Sequence, residues 1–299
     1  MNTSQIKAHI ALIVVNVIYG VNFIAVKEII PHHFEWQSLA LFRGFGTLFL
    51  CIAAWLWGRR KKIERADVGK FIVAGLLGVT VSQSLLVWGL QHTSAINASI
   101  IMTTTPLFVM LFAAFILRFP MTKHKIWGII LGGAGACVLI LSSNPKGVES
   151  VRFISLGDAI IFANAVSFGL YLVLTKPLMA KYDSITVMFY TFVFGTLPIL
   201  LYGLQPTLEV DFSTVPVITY IAIGFVIVFA TFITYILNAA SLEYVNPTTV
   251  SIYVYIQPVV ATILSMTMHH EQFHWYKIPS MLLVFAGVYL VSKSNSSGN

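Results

Sequence analysis

The stretch Trp36–Trp57, WQSLALFRGFGTLFLCIAAWLW, carries a single charged residue, Arg43, in an otherwise apolar and small-residue run. About 20 apolar residues are enough to cross about 30 Å of hydrocarbon as a helix. Lipid offers the backbone no partner, so a spanning segment must satisfy its own N–H and C=O groups and is helical. The period-two alternation of a barrel strand is absent. Reading outward, runs of the same kind occur at Ala8–Ile30, Val68–Leu90, Ser94–Leu117 and Lys123–Leu141, then at Ser155–Leu174, Ser184–Leu204, Val215–Ala239, Pro247–Met268 and Trp275–Val291. The expectation is an all-α integral membrane protein of ten transmembrane helices.

Composition agrees. The chain is 58% hydrophobic and 10% charged, with mean hydropathy +0.85, whereas a soluble domain carries about 25% charged residues. So few charges cannot cover a water-facing surface, and the bilayer is the expected partner. The net charge of +7 sits in short clusters between apolar runs, which is membrane topology rather than a phosphate-binding face and argues against nucleic acid. With the amino terminus on the cytoplasmic side, that side receives Lys7, Arg59, Arg60, Lys61, Lys62, Arg65, Lys70, Arg118, Lys123, Lys125, Lys176, Lys181 and Lys293. The other side receives only Lys27, Arg43, Lys146, Arg152 and Lys277, so both termini are expected to be cytoplasmic. Trp36, Trp55, Trp57, Trp127 and Trp275 stand near span ends, where indole rings anchor to the interface. The first run has no small-residue cleavage site and reads as a retained helix. Cys51 and Cys137 lie inside apolar runs and read as small buried residues, not as a disulfide framework or metal site. No cofactor is expected.

The Phe45-Gly46-Thr47-Leu48 motif of the opening stretch returns as Phe194-Gly195-Thr196-Leu197. Tyr19-Gly20 precedes Lys27 at the interval at which Phe168-Gly169 precedes Lys176. Ser99-Ile100 leading to Pro106 returns as Ser251-Ile252 leading to Pro258, at an offset longer by three residues, which the polar loop expected around Gln205–Ser213 can absorb. Gly135 and Gly287 then fall into line. Four matches in one order imply a duplication, with residues 1–145 as one repeat and 146–299 as the other. Five helices per half is an odd number, so the halves are expected to be inverted. Inverted halves can rock about a midplane site and expose it alternately to each side, which is a device for transport.

At these residues the chain resembles the drug/metabolite transporter superfamily, specifically its EamA-type members. The resemblance runs from about Ala8 to Val291 and implies a 5+5 inverted duplication, with the aromatic–glycine pairs Tyr19-Gly20 and Phe168-Gly169 in the first helix of each half. Pro258 followed by His270-Glu271 matches the family pattern, whereas Arg118-Phe119-Pro120 stands where the first half should carry an acid. The resemblance also implies a central cavity lined by the first, third, fourth, sixth, eighth and ninth helices.

Polar residues inside spans are costly and mark sites or helix contacts. Asn16, Tyr19 and Asn22 lie in the first span, Gln83 and Trp88 in the third, Ser99 and Thr103 in the fourth. Asn164, Phe168 and Tyr171 lie in the sixth, Tyr235 and Asn238 in the eighth, Ser251, Tyr255 and Gln257 in the ninth. The cavity candidates drawn from these are Asn16, Tyr19, Asn22, Gln83, Trp88, Ser99, Thr103, Phe168, Tyr171, Tyr235, Asn238 and Tyr255, with Pro106 and Pro258 as kinks or gates. Asp158 and Arg43 are placed to snorkel to the interface. Lys27 and Lys176 are placed to anchor helix ends, where Glu28, Glu243 and Glu271 also fall. His32-His33 and His269-His270 read as solvated loop pairs.

No acid is placed near the midplane, which disfavours a cation pump. Several central Lys or Arg, which phosphate compounds would need, are also missing. A nucleophile elbow, an HExxH helix and a P-loop are absent from the sequence. The reading is a secondary transporter, in the exporting direction, of small neutral, zwitterionic or amphipathic metabolites such as amino acids, in a bacterial inner membrane, with proton coupling left open. A multidrug exporter on the same fold is the second reading, and a polytopic membrane enzyme the third.

Overall fold

In the computed structural model the residues described are 3–30, 33–57, 62–118, 123–142, 155–268, 275 and 277–296. Arg59, Arg60, Lys61, Pro120, Lys146, Arg152, His32, His269, His270 and Glu271, all named above, lie outside them. Ten helical columns run through the described residues: α1 Thr3–Ile29, α2 Trp36–Trp57, α3 Arg65–His92, α4 Ala95–Ile116, α5 Lys123–Ser142, α6 Leu156–Met179, α7 Ser184–Leu208, α8 Val217–Tyr244, α9 Pro247–Met268 and α10 Lys277–Ser296. Eight of them, α1–α4 and α6–α9, are long and apolar enough to cross a membrane. The other two, α5 and α10, are 20 residues each and pack against one another. Phe49, Phe115, Leu201, Leu208 and Val217 are each more than two-thirds exposed on the outer surface. Apolar surface of that extent is stable against lipid, not water.

The sequence explains where the columns bend. Pro106 removes a donor and crowds the carbonyl four residues back, and α4 breaks at Thr103–Thr104 just before it. The hydroxyls of Thr103 and Thr104 donate to the Ile100 and Ile101 carbonyls, the latter at 2.8 Å, and satisfy groups the break would expose. In α9 a tighter turn, Tyr253–Tyr255, precedes Pro258 in the same way. Columns α3 and α8 each widen into one π turn, at Leu76–Val81 and Val228–Ile233. Such turns take carbonyls out of the i→i−4 ladder.

Matched contacts join the two sets of columns. A Cβ on Gly20 would meet Val260 Cβ at 2.6 Å and the Gln257 carbonyl at 3.2 Å; one on Gly169 would meet Phe108 Cβ at 3.1 Å and the Thr105 carbonyl at 3.5 Å. Thus α1 crosses α9 as α6 crosses α4, each crossing made at the glycine of an aromatic–glycine pair. Gly46 presses on Ile227 in α8, and Gly195 on Gly75 and Val79 in α3. Lys27 Nζ donates to the Leu90 and Thr93 carbonyls at 3.2 and 3.1 Å. Lys176 Nζ donates to the Val245 carbonyl at 3.1 Å and to that of Leu242. Each lysine therefore closes the carboxyl end of a π-containing column, whose last carbonyls lack helical partners.

Several expectations are corrected. Residues 205–208 are helical, not loop, because α7 continues through Pro206 to Leu208. Asp158 does not snorkel: it is fully buried and accepts from Thr93 Oγ1 and, at 3.4 Å, from Asn97 Nδ2, tying the start of α6 to the α3–α4 junction. Arg43 does not snorkel either, as described below. Lys27 and Lys176 do more than anchor their own helices.

Removing either lysine leaves carbonyls unpaired in a partly buried place. Lys27→Met and Lys176→Met are each expected to cost about 1–3 kcal/mol, read as a lower melting temperature of the detergent-purified protein, against little change for the exposed Lys7→Met.

Candidate functional site

One cavity lies where α1, α2, α3, α4, α6, α8 and α9 meet. It is lined by Tyr19, Asn22 and Phe23, then Arg43, then Ser82, Gln83 and Leu86, then Met102, Asn164, Phe168, Tyr235 and Gln257. The cavity has about 40 Å³ open to water, within a wider recess of about 440 Å³ that is partly open to the outside. The former is room for about three waters.

Local structure explains how polar side chains come to face it. At the π turn of α3 the Gly78 carbonyl accepts from Tyr235 Oη at 2.5 Å, and the Leu77 carbonyl, which also takes the Ser82 N–H, accepts from Ser167 Oγ at 2.9 Å. Gly78 has no side chain, so the Tyr171 ring lies directly on it. Tyr171 and Tyr235 approach with ring centroids 5.8 Å apart, and Phe192 meets Tyr235 edge-on at 5.3 Å. On the opposite wall Asn238 Nδ2 donates to Tyr19 Oη at 3.1 Å, and Tyr19 stands perpendicular to Phe168. Gln257 Nε2 donates to Asn16 Oδ1 at 2.7 Å, and Asn16 Nδ2 to the Leu12 carbonyl at 2.8 Å. Ser82 Oγ donates to Asn164 Oδ1 at 2.7 Å.

Of the sequence candidates, Tyr19, Asn22, Gln83, Phe168 and Tyr235 line this cavity together. Asn16, Asn238 and Tyr171 stand one layer back and hold Gln257, Tyr19 and Tyr235. The remaining four are not part of the wall. Trp88 stacks on Trp36 at 5.6 Å, with Tyr202 against the same ring. Ser99 and Thr103 bond back to their own helix at the Ile96 and Ile100 carbonyls. Tyr255 faces Phe285 at 5.3 Å, beside Leu107 and Met110. Pro106 and Pro258 mark the breaks in α4 and α9.

Sequence reasoning missed Arg43. It is 2% exposed and enters the cavity from α2, a column outside the expected set, and its Nε and Nη1 make no hydrogen bond. The signal was the helical face. Leu39, Arg43, Thr47 and Cys51 recur every fourth residue and are all buried, while Phe49 faces out. No carboxylate lines the cavity among the described residues. Of the two histidine pairs only His33 is described; it borders a separate polar recess with Glu35, Gln205 and Glu209.

A bundle of apolar helices long enough to cross a membrane, packed around a small cavity, defines a multi-pass membrane protein. Residues 6–141 and, separately, residues 155–293 match the EamA-like transporter family. The chain belongs to that family, within the drug/metabolite transporter superfamily, and is a transporter. It is 26% identical over 291 residues to YyaM, an uncharacterized transporter of Bacillus subtilis (strain 168), covering 96% of this chain and 94% of that one. It is 32% identical over 171 residues to a protein of Streptantibioticus cattleyicolor named "probable terminal-alkyne amino-acid exporter", covering 57% of this chain and 54% of that one. A solved crystal structure superposes with a TM-score of 0.67 at 17% identity, covering 98% of this chain and 96% of its own, and is similar in fold.

The Gln257–Asn16 bond joins α9 to α1 at the cavity wall. In a double-mutant cycle with Gln257→Leu and Asn16→Leu, thermal unfolding is expected to give a coupling of about 0.6–1.7 kcal/mol, the range for hydrogen bonds between membrane helices.

Proposed function

We propose that the chain is a secondary transporter that exports small zwitterionic metabolites such as amino acids. It works by alternating access between two halves, residues 1–145 and 146–299, each of five transmembrane helices and opposite in orientation. Both termini are cytoplasmic, and the membrane is a bacterial inner membrane. The observation that carries this reading is the polar cavity at the convergence of seven columns, bounded by the matched crossings of α1 with α9 and α6 with α4. The separate matches of residues 6–141 and 155–293 to one family support the duplication. The exporting direction leans on the similarity to the named amino-acid exporter.

A cavity with room for about three waters cannot admit an amino acid as it stands, so transport requires the walls to part. The breaks before Pro106 and Pro258 and the π turns of α3 and α8 are where helices can bend without losing whole ladders. They serve as the gates. The absence of a carboxylate from the described lining fits substrate flow that does not need a proton relay at the binding site.

The test is thermal stabilisation of the detergent-purified protein by a panel of amino acids, nucleosides, nucleotide sugars and lipophilic cations. A ligand at a hundred times its dissociation constant stabilises by about 2.7 kcal/mol. Amino acids are expected to shift the melting temperature, and Gln83→Ala or Tyr235→Ala to abolish the shift. A response to lipophilic cations alone would overturn the reading in favour of drug export.

A further inference from the structure

Among the described residues, the buried charged side chains other than Arg43 have partners. Asp158 is held by Thr93 and Asn97. Asp67 is held by Lys70 at 2.8 Å, Lys181 at 2.6 Å and the Tyr182 hydroxyl at 2.9 Å. Lys27 and Lys176 are held by helix-end carbonyls. Arg43 alone among the charged residues lining the cavity is buried with Nε and Nη1 unbonded, and no ion pair engages it among the described residues. A guanidinium cannot escape this cost by losing its proton, since it stays charged at any pH a cell offers. An ionised group inside a membrane protein marks a substrate or ion pathway, or has a partner. Here no ion pair engages the charge among the described residues, and the side chain faces a polar cavity in the bundle core.

The other unbonded polar atoms of that cavity complete a pattern. Oδ1 of Asn22 lacks a hydrogen-bond partner, and the Gln83 carboxamide, beside the Tyr235 hydroxyl, makes no well-formed hydrogen bond. Their carboxamide oxygens are acceptors, suited to an ammonium group, and the rings of Tyr19, Phe168 and Tyr235 add π faces that attract a cation. Phe23, Leu86 and Met102 supply an apolar wall. At the position of the second half that matches Arg43, two residues before the Phe-Gly-Thr-Leu motif, stands Phe192, packed on Tyr235. The duplicated frame thus carries a fixed cation on one side and aromatic surface on the other. A neutral solute would leave the guanidinium without a counter-charge, and a lipophilic cation would be repelled by it.

We propose that Arg43 anchors the carboxylate of the transported solute, by the paired N–H···O contacts that a planar guanidinium makes with a carboxylate. The cavity then requires a free carboxylate and takes α-amino acids with apolar side chains. This inference rests on the transporter reading of the same cavity.

The experiment uses the full chain in detergent and three ligand series: leucine, phenylalanine and tryptophan, each with its amide, its decarboxylated amine and its deaminated acid. Affinities are read from ligand-dependent melting. Compounds with a free carboxylate are expected to bind at least tenfold more tightly than the matching amide or amine. Arg43→Gln should erase that preference. Arg43→Lys, which keeps the charge but loses the planar fork, should retain part of it. The ligand-free Arg43→Gln protein should melt at or above the wild type, because an uncompensated buried charge is gone; a lower melting point would assign Arg43 to structure and overturn the proposal. Equal binding of acid and amide, binding by none of the carboxylates, or an unchanged preference in Arg43→Gln would also overturn it. The two readings separate through Gln83→Ala. If that variant abolishes binding while the carboxylate preference is absent, the cavity stands and the anchor falls. If neither Gln83→Ala nor Arg43→Gln changes binding, the cavity reading falls as well.

Discussion

A carbonyl released from a helix in the middle of a bilayer has no water to turn to, and the π turns of this bundle are tied to side chains from neighbouring columns. At the π turn of α3, Tyr235 of α8 takes the Gly78 carbonyl, and Ser167 of α6 adds a second bond to the Leu77 carbonyl, which also accepts the Ser82 N–H. Thr80, on the same turn, donates to the Gly195 carbonyl of α7 at 2.6 Å, and Thr47 of α2 reaches the Ile227 carbonyl beside the π turn of α8 at 3.5 Å. The columns are thereby locked to one another where each is weakest within itself. Apolar packing in lipid supplies little preference for one helix partner over another, so these bonds and the glycine crossings carry the specificity of the arrangement.

The glycine crossings set the distances. Where α3 meets α7, a Cβ on Gly75 would lie 2.6 Å from the Thr191 carbonyl and 2.8 Å from the Gly195 nitrogen, so two backbones run in direct contact. Contact that close brings Thr80 within reach of a carbonyl on another helix. It also leaves no room for a third side chain there. Of the groups lining the cavity, Tyr235 is turned inward by the backbone rule, since its hydroxyl satisfies the Gly78 carbonyl.

Much of this was legible in the chain, for physical reasons that differ by element. Within the described residues, spans Trp36–Trp57 and Pro247–Met268 have the expected bounds, because the sequence changes abruptly from apolar to polar there. The end of α7 was not legible, since Pro206 within Gln205–Leu208 reads as a breaker although a helix in lipid tolerates it. Tyr19, Asn22, Gln83, Phe168 and Tyr235 could be picked out because polar or ring-bearing residues recur at helical spacing on candidate cavity helices. Trp88, Ser99, Thr103 and Tyr255 satisfy the same criterion yet serve elsewhere, as ring stacking and local backbone bonds. Residue type reports that a polar group needs a partner, not which partner it finds. Arg43 and Asp158 failed in the opposite sense. Depth along a span of one or two turns allows snorkelling, and only the azimuth of the side chain, fixed by which face packs, decides against it.

The cavity wall combines groups already committed with groups left open, and that division has chemical content. The Tyr235 hydroxyl spends its proton on the Gly78 carbonyl, so toward the cavity it offers lone pairs. Gln257 spends an amide proton on Asn16, and Asn164 accepts from Ser82. These are the groups that also hold helices together, and a solute meeting them meets a rigid surface. Arg43, Gln83 and the Asn22 oxygen hold nothing together by well-formed hydrogen bonds. Buried polar groups without partners lower stability, so a wall that were purely structural would have replaced them by apolar residues of similar size, as the second half does with Phe192. Stability surrendered at these three positions, next to neighbours that are fully satisfied, is the mark of a surface waiting for a ligand rather than of loose packing.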